Sequence, residues 1–194
     1  EFGKSGMDPN LPELVDAIEA SAKPVVAAIQ GLALGGGVEI ALGCHYRIAT
    51  PQARFGLPEV NLGLLPGAGG TQRLPRVAGA EAALEMIVSG SPISATKAAD
   101  IGLVDKLVEA NALRAEAISF ARTLDGPRPT GARNVTADPA VFDAFVAANT
   151  RKLKGLDAPQ ACVEAVRAAT MLPFAEGLQR ERELFARLQA GEQS

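Results

Sequence analysis

A short apolar run that leads into consecutive glycines constrains the fold of this chain more than any other feature. Residues 25–29, Val-Val-Ala-Ala-Ile, lie between Pro24 and Gly31, and a run so short and so bounded predicts a buried strand. Residues 35–37 are all glycine, and the apolar residues after them predict a buried helix. Residues 45–50 then suit a second strand. The sequence therefore predicts a β-turn-α-β unit within an α/β fold.

The same kind of pattern divides the chain into two parts. Residues 55–70 are rich in glycine among aliphatic residues, so their backbone must turn repeatedly while it stays partly buried. A helix is predicted at 10–21, with Asp8-Pro9-Asn10 as its start. Other elements are predicted as helices at 80–88 and 95–99, a strand at 103–108, and long helices near 110–124, 138–150, 158–171 and 174–189. We therefore predict a core at 1–109 and a helical C-terminal layer at 110–194.

Charge and composition narrow the range of partners. The formal net charge is −3 and the 19 basic residues are scattered, so nucleic acid is not an expected partner. Apolar residues make up 47% of the chain, but Gly, Pro or charge interrupts each run well before the ~20 residues of a membrane span. We expect a soluble, cytoplasmic protein without a membrane partner.

Few side chains are suited to metal or triad chemistry. Cys44 and Cys162 form no CxxC pair, and His45 is the single histidine. The sequence therefore does not favour a zinc site or a Ser-His-Asp triad, and no metal is expected. We interpret His45, beside Tyr46 at a strand edge, as structural.

The glycines and the glutamate that follows them form the first candidate site. Because the first amides of a helix have no internal acceptor, N–H groups at Gly35 and Gly36 can point at a polarised carbonyl, as in an oxyanion hole. Close packing of a tight turn explains the glycines equally well. Glu39 lies in the first helical turn, where the macrodipole favours its ionised form and suits it to act as a base. An ordinary glutamate that complements the dipole is the alternative.

Glu59 is the second candidate. It follows Pro58 among apolar residues, and burial there raises a carboxyl pKa and keeps a proton on it, which suits an acid. A loop carboxylate that points to water or caps a turn is the alternative. Two carboxyls whose surroundings separate their pKa values are the pattern expected of an acid/base pair.

Four segments resemble the signature of the crotonase (enoyl-CoA hydratase/isomerase) family across residues 23–108. They are KPVVAAI at 23–29, GLALGGGVE at 31–39, FGLPEVNLG at 55–63 and PGAGGTQRL at 66–74. Their order is that of the hydratases, and so is the 20-residue separation of Glu39 from Glu59. The resemblance implies an α/β fold with a crotonase-like ββα spiral core, N-terminally truncated here, and a helical C-terminal layer.

The resemblance also implies a substrate and a role for each residue. The Gly36 N–H, beside Gly35, polarises the thioester carbonyl of an enoyl-CoA. Glu39 activates water for addition at C3, and Glu59 delivers a proton to C2. Coenzyme A enters as part of the substrate, and no separate cofactor is expected. The family's second oxyanion donor is expected just before Glu1, so only part of the oxyanion hole is encoded here.

The C-terminal layer resembles one subgroup of the family. LPFAEGL at 172–178, with Glu181 and Arg182, resembles the hydratase half of multifunctional β-oxidation enzymes, in which a 3-hydroxyacyl-CoA dehydrogenase follows. We find no strand–GxGxxG–helix unit in these 194 residues, so a fused dehydrogenase is expected only in a parent protein. Hydratase activity, with or without Δ3,Δ2-enoyl-CoA isomerase activity, is the leading hypothesis. An isomerase alone and a non-catalytic CoA-thioester-binding fragment stay open, as does homo-oligomerisation.

Overall fold

The computed structural model, which describes residues 10–191, contains two small sheets of three strands each. The strands are β1 Val26–Ile29, β2 Leu32–Leu34, β3 Tyr46–Ala49, β4 Arg54–Gly56, β5 Ile93–Ser94 and β6 Lys106–Leu107. One sheet has the order β1-β3-β6 with parallel pairing throughout. The other has the order β2-β4-β5, in which β2 and β4 are parallel and β5 is antiparallel.

Helices surround these sheets and make up most of the remaining described chain. The helices are α1 Leu11–Glu19, α2 Gly36–Gly43, α3 Gly70–Ala78, α4 Ala80–Ser89, α5 Ala95–Asp100, α6 Leu113–Arg122, α7 Pro139–Ala148, α8 Thr150–Leu153, α9 Asp157–Met171 and α10 Phe174–Gln189. The helix predicted at 10–21 is α1, and Asn10 caps it in a capping box with Glu13. Asp8 and Pro9, which we also expected at its start, lie outside the described residues.

The β-turn-α-β unit is present, but β1 is partly exposed rather than buried, and β2, which was not predicted, lies between β1 and α2 in the chain. Strands β1 and β3 pair in parallel from Val26 opposite Tyr46 to Ile29 opposite Ala49, and α2 lies between them in sequence. Helix α2 is largely buried, which explains why its residues are apolar on nearly every side. The strand predicted at 103–108 was too long, because β6 pairs with β3 at only two positions.

The glycine-rich stretch 55–70 holds more regular structure than its sequence suggested. It contains the end of β4, a 3-10 turn at Pro58–Leu62 and the start of α3. Helix α3 was missed because Pro75 lies inside it and glycines precede it, and both residues usually argue against a helix. Tertiary packing overrides these local preferences, since nearly all of α3 is buried.

The C-terminal helices pack directly on the α/β part. In the described residues after 107, the regular elements are all helical. Helix α9 packs against α3 and α4, and α10 packs against α9 and α3. The main hydrophobic core accordingly includes Leu42 and Phe55 together with Cys162 and Leu184. The two parts share one core, and the domain division at residue 109 stays a prediction.

None of the described helices combines sufficient length with a sufficiently apolar sequence to cross a bilayer.

Candidate active site

Gly35 and Gly36 form the turn between β2 and α2, but they differ in what their amides do. Gly35 has φ of +53°, a backbone conformation that favours glycine, and its N–H donates to the Gly56 carbonyl at 2.9 Å. This bond removes Gly35 from the predicted oxyanion hole, which is a correction to the sequence prediction. Gly36 is the first residue of α2, and no residue in the described range 10–191 accepts a hydrogen bond from its N–H. The Gly36 amide remains the candidate donor.

Glu39 lies in the first turn of α2 and is 3% exposed. Its Oε1 accepts hydrogen bonds from the N–H groups of Ala68 at 2.7 Å and Gly70 at 2.9 Å. A Cβ at Gly70 would lie 2.8 Å from this oxygen, so a residue without a side chain is needed for the approach.

The pKa of Glu39 is set by opposing effects. Burial raises the pKa, whereas the two amide hydrogen bonds and the charge of Arg73 lower it, and the net direction is upward. The helix dipole alone, on which the sequence argument rested, therefore does not determine the ionisation of Glu39. A buried carboxylate with a raised pKa is a stronger base than an exposed one, provided that its anion is hydrogen-bonded as here.

Glu59 lies in the 3-10 turn that follows β4 and is 6% exposed. Its Oε2 is buried and has no hydrogen-bond partner among the described residues. Burial raises the pKa of Glu59 to about 7, against a hydrogen bond from its own backbone N–H that lowers the pKa, and the charge of Glu39 adds a smaller upward effect. A carboxyl with this pKa retains its proton for much of the time near neutral pH, as expected of an acid.

Both carboxyls lie near the start of α2. A Cβ at Gly35 would lie 3.0 Å from Glu59 Oε1, which places Glu59 against the start of the helix that carries Glu39. The effect of Glu39 on the pKa of Glu59 reflects the same proximity. The structure thus brings together both predicted carboxyls and the Gly36 amide, and this arrangement has the parts needed to polarise a carbonyl and move two protons.

Glu181 on α10 is a buried carboxyl that sequence reasoning did not place in the site. It is 1% exposed and accepts hydrogen bonds from the N–H groups of Gly69 and Thr71 and from Thr71 Oγ1. Burial, and next the charge of Glu39, raise its pKa to about 8. A signal was present in the sequence, because Glu181 shares one helical face with Gly177, Leu184 and Leu188, all of them buried.

Other polar candidates have structural roles. His45 Nδ1 accepts from the Val25 N–H and its Nε2 bonds to the Glu19 carbonyl, both at 3.0 Å, so neither ring nitrogen is available for chemistry. Arg180 and Arg187 on α10 both pair with Glu164. Cys44 and Cys162 are buried free thiols. Within residues 10–191, no group of His, Cys, Asp and Glu side chains is arranged to hold a metal ion.

Comparisons with known proteins agree on one family. The sequence profile of the enoyl-CoA hydratase/isomerase family matches residues 4–153. The peroxisomal bifunctional enzyme of Danio rerio is 52% identical over 196 residues, which cover 97% of this chain and 27% of that protein. A probable enoyl-CoA hydratase of Bacillus subtilis is 58% identical over 92 residues, which cover 47% of this chain and 36% of that protein.

A solved structure shows the same similarity. An enoyl-CoA hydratase from Mycobacterium avium subsp. paratuberculosis superposes with a TM-score of 0.64 at 29% identity. The match covers 94% of this chain and 65% of that one. The chain spans about a quarter of the length of the bifunctional relative from Danio rerio.

Proposed function

The chain belongs to the enoyl-CoA hydratase/isomerase family and has its crotonase-like α/β fold, and we propose that it hydrates trans-2-enoyl-CoA to 3-hydroxyacyl-CoA in fatty-acid β-oxidation. The observation that carries this proposal is the pair of buried carboxyls beside the Gly36 amide. Glu39 accepts two backbone hydrogen bonds, whereas Glu59 has an oxygen without a partner among the described residues. These surroundings suit a base and an acid, respectively.

In the proposed reaction the thioester carbonyl oxygen lies at the Gly36 N–H. Glu39 takes a proton from water while the water oxygen bonds to C3. The electrons of the C2–C3 double bond move toward the carbonyl, and the resulting enolate takes the proton of Glu59 at C2. Glu39 ends protonated and Glu59 ends ionised, and proton exchange with solvent restores both. One water molecule is added and no electrons are transferred, so the proposal includes no redox cofactor or metal, and coenzyme A enters only with the substrate.

The oxyanion donor matters as much as the carboxyls in this scheme. Loss of one such donor typically costs ~100- to 1000-fold in rate, because negative charge develops on the carbonyl oxygen in the transition state. Burial of the two carboxyls strengthens these electrostatic effects, since little water is present to screen them.

Δ3,Δ2-enoyl-CoA isomerisation is a second candidate activity. Isomerisation moves one proton between C4 and C2 and requires no water, so one carboxyl can carry it. The unpartnered Oε2 of Glu59 favours this residue over Glu39, whose Oε1 already accepts two hydrogen bonds. We propose it as an accompanying activity of the same site.

The proposal extends to the protein that contains this chain. Because the chain covers 27% of a relative named as a bifunctional enzyme, we propose a parent protein in which a 3-hydroxyacyl-CoA dehydrogenase is fused to this part. The intact mass of the protein purified from its source tests this, and a mass near that of 194 residues contradicts it. We also propose that the protein is cytoplasmic, although the Danio rerio relative is named peroxisomal, and that it forms homo-oligomers. Cell fractionation tests the location, and sedimentation tests the oligomeric state.

The central experiment measures hydration of crotonyl-CoA by the 194-residue chain and by a version extended upstream. Glu39→Gln is expected to lower kcat by ~100-fold or more, since it removes the base but keeps the shape of the side chain. Glu85→Gln, an exposed change on α4, is the matched control and is expected to retain wild-type kcat. Hydration at a near wild-type rate by Glu39→Gln contradicts the two-carboxyl mechanism. Binding of crotonyl-CoA without turnover by both wild-type forms identifies the non-catalytic alternative.

A further inference from the structure

Glu181 is a buried carboxyl that the proposed mechanism does not use. It lies on α10, where the next two residues, Arg182 and Glu183, are exposed. A buried carboxyl destabilises a protein unless hydrogen bonds compensate for the lost water. Glu181 has three such bonds, at 2.7 Å from the Gly69 N–H, 3.0 Å from the Thr71 N–H and 2.5 Å from the Thr71 hydroxyl. All three come from Gly69 and Thr71, two residues of one short segment.

The segment is the loop 68–71, and its successive amides alternate between two carboxyls. The N–H groups of residues 68 and 70 donate to Glu39 Oε1. Those of residues 69 and 71 donate to the two carboxyl oxygens of Glu181. The loop therefore lies between Glu39 on α2 and Glu181 on α10, and each carboxyl is bound by every second amide.

The conformation of Gly69 and the contacts of Arg73 constrain the backbone of the loop 68–71. Gly69 has φ of +90°, and a Cβ there would lie 1.9 Å from Arg73 Nη1. Arg73 Nη1 also donates to the carbonyl of residue 68 at 3.2 Å. Because the backbone is constrained in this way, a shift of the amides on the Glu181 side moves those on the Glu39 side as well.

We propose that Glu181 is a positioning residue for Glu39, which holds the loop 68–71 from α10 so that the other two amides stay aimed at Glu39 Oε1. This inference deepens the proposed function and rests on the role of Glu39 as the base. It makes the C-terminal helical layer part of the active site, since Glu181 lies on α10.

Close packing of α10 supports this role. A Cβ at Gly177 would lie 2.2 Å from Gln72 Oε1, so α10 approaches α3 at a point where only glycine fits. One turn after Glu181, Phe185 lies against Gly67, where a Cβ would meet its ring at 2.8 Å. Helix α10 is thus fixed on both sides of Glu181 and provides a rigid support for the loop.

The charged groups around Glu39 and Glu181 determine how the replacement of Glu181 changes the pKa of Glu39. Glu39 faces Arg73 on α3, Glu181 on α10 and Glu59 in the 3-10 turn, while Glu181 faces Glu39 and Cys162 on α9. Burial and the charge of Glu39 raise the pKa of Glu181 to about 8, which favours its neutral form near neutral pH. Glutamine is also neutral, so replacing Glu181 by glutamine acts mainly through the loop. Misaligned amides stabilise the Glu39 anion less, and the pKa of Glu39 rises.

The first test is the kinetics of Glu181→Gln. Glutamine has the same size, but its amide nitrogen cannot accept the second loop N–H. We expect kcat for crotonyl-CoA hydration to fall ~10-fold, the size of one misaligned charge-assisted hydrogen bond, while KM changes less than ~2-fold. The acid limb of the kcat profile is expected to move to higher pH. Glu176→Gln, an exposed change on the same helix, is the matched control and is expected to leave kcat, KM and the pH profile unchanged.

The second test does not depend on activity. We label glutamate at the side-chain carboxyl carbon with ¹³C, assign the Glu39 signal by its loss in Glu39→Gln, and titrate it by NMR. The Glu39 pKa is expected to rise in Glu181→Gln and to stay constant in Glu176→Gln. Thr71→Val removes the hydroxyl contact to Glu181 and the hydrogen bond that this hydroxyl accepts from Gln72 Nε2, but it keeps the two loop N–H bonds to Glu181. It is expected to cause a smaller shift in the same direction, and it replaces Glu181→Gln if that variant does not fold.

The outcomes of these tests distinguish the proposed hydratase function from the proposed positioning role of Glu181. If the wild type lacks hydratase activity while the Glu39 pKa moves as expected, the proposed function fails and the positioning role stands. If the wild type is active but a folded Glu181→Gln or Thr71→Val variant leaves the Glu39 pKa and kcat unchanged, the positioning role is overturned. A lower melting temperature without either change shows that Glu181 serves only stability, which also overturns it.

Discussion

The loop that binds Glu39 and the 3-10 turn that carries Glu59 differ in what they offer a carboxyl. The loop donates two backbone hydrogen bonds to Glu39 Oε1, and these bonds favour the anion. The turn leaves Glu59 Oε2 buried without a partner among the described residues, and this favours the protonated form. Burial raises the pKa of both groups, and they differ in hydrogen bonding: Glu39 accepts from two loop amides, whereas Glu59 accepts from its own backbone N–H.

The largest expected effect is a loss of activity that differs between Glu39 and Glu59 according to the reaction measured. Glu39→Gln and Glu59→Gln are each expected to lower hydration of crotonyl-CoA by ~100- to 10,000-fold, the usual contribution of a positioned acid or base. Isomerisation of a 3-enoyl-CoA is expected to fall by a similar factor only in Glu59→Gln. Steady-state assays of both reactions measure this difference. Equal losses of isomerisation in the two variants contradict the assignment.

The pH dependence of hydration tests the protonated state of Glu59. Because its pKa is raised to about 7 and the proposed acid must carry a proton, kcat is expected to fall as pH rises above 7, toward tenfold per pH unit. The measurement is kcat for crotonyl-CoA across pH 5 to 10. Product release that is slower than chemistry would hide this limb, so pre-steady-state rates serve as the control. A chemical step that stays constant above pH 8 disproves the role of Glu59 as the acid.

Two glycine substitutions each place a methyl group against one of the two carboxyls. Gly35→Ala places a methyl group 3.0 Å from Glu59 Oε1 at a positive φ, and Gly70→Ala places one 2.8 Å from Glu39 Oε1. Both variants are expected to lose ~10-fold in hydration, since small displacements of a catalytic group are costly. Isomerisation is expected to fall mainly in Gly35→Ala.

The control for this pair is Gly126→Ala, because a Cβ there would have no atom within 4 Å. It is expected to retain both activities. A loss of isomerisation in Gly70→Ala as large as in Gly35→Ala would show that the two environments are not independent.

The smallest effect is on stability and depends on pH. Since the pKa of Glu59 is about 7 in the folded state against an ordinary value of 4.5, the folded protein binds the extra proton more tightly than the unfolded chain. The stability that this provides is fully present below pH 4.5 and is lost as pH rises through 7. Glu59→Gln is therefore expected to be ~1–2 kcal/mol more stable than the wild type at pH 8, or ~2–8 °C in Tm. Thermal melts at pH 4.5 and pH 8 measure this, and an equal difference at both values refutes it.

Local patterns in the sequence were sufficient to predict β1, α2 and the start of α1. The short apolar run at 25–29 and the glycines after it predicted β1 and α2, and Asn10 predicted the start of α1. Glu39 and Glu59 were identified because each has a distinctive local setting, and the structure places both in one buried site. Their roles stay predictions, as does the domain division.

Long-range contacts were what the sequence did not reveal. The Gly35 amide was expected to face a substrate, but it bonds to Gly56, a partner 21 residues away whose strand was not predicted. Helix α3 forms despite Pro75 because α4, α9 and α10 pack around it. Glu181 was missed because its partners, Gly69 and Thr71, lie 112 and 110 residues away, and a helical pattern shows which face is buried but not what it meets.

The most direct test of the account is exchange of the C2 hydrogen of butyryl-CoA in D₂O, followed by NMR. This substrate has no double bond to hydrate, so exchange requires only a group that removes and returns the C2 proton beside the oxyanion donor. We expect exchange to be retained in Glu39→Gln and to fall at least ~100-fold in Glu59→Gln. Loss of exchange in Glu39→Gln together with retention in Glu59→Gln would contradict the assignment of acid and base.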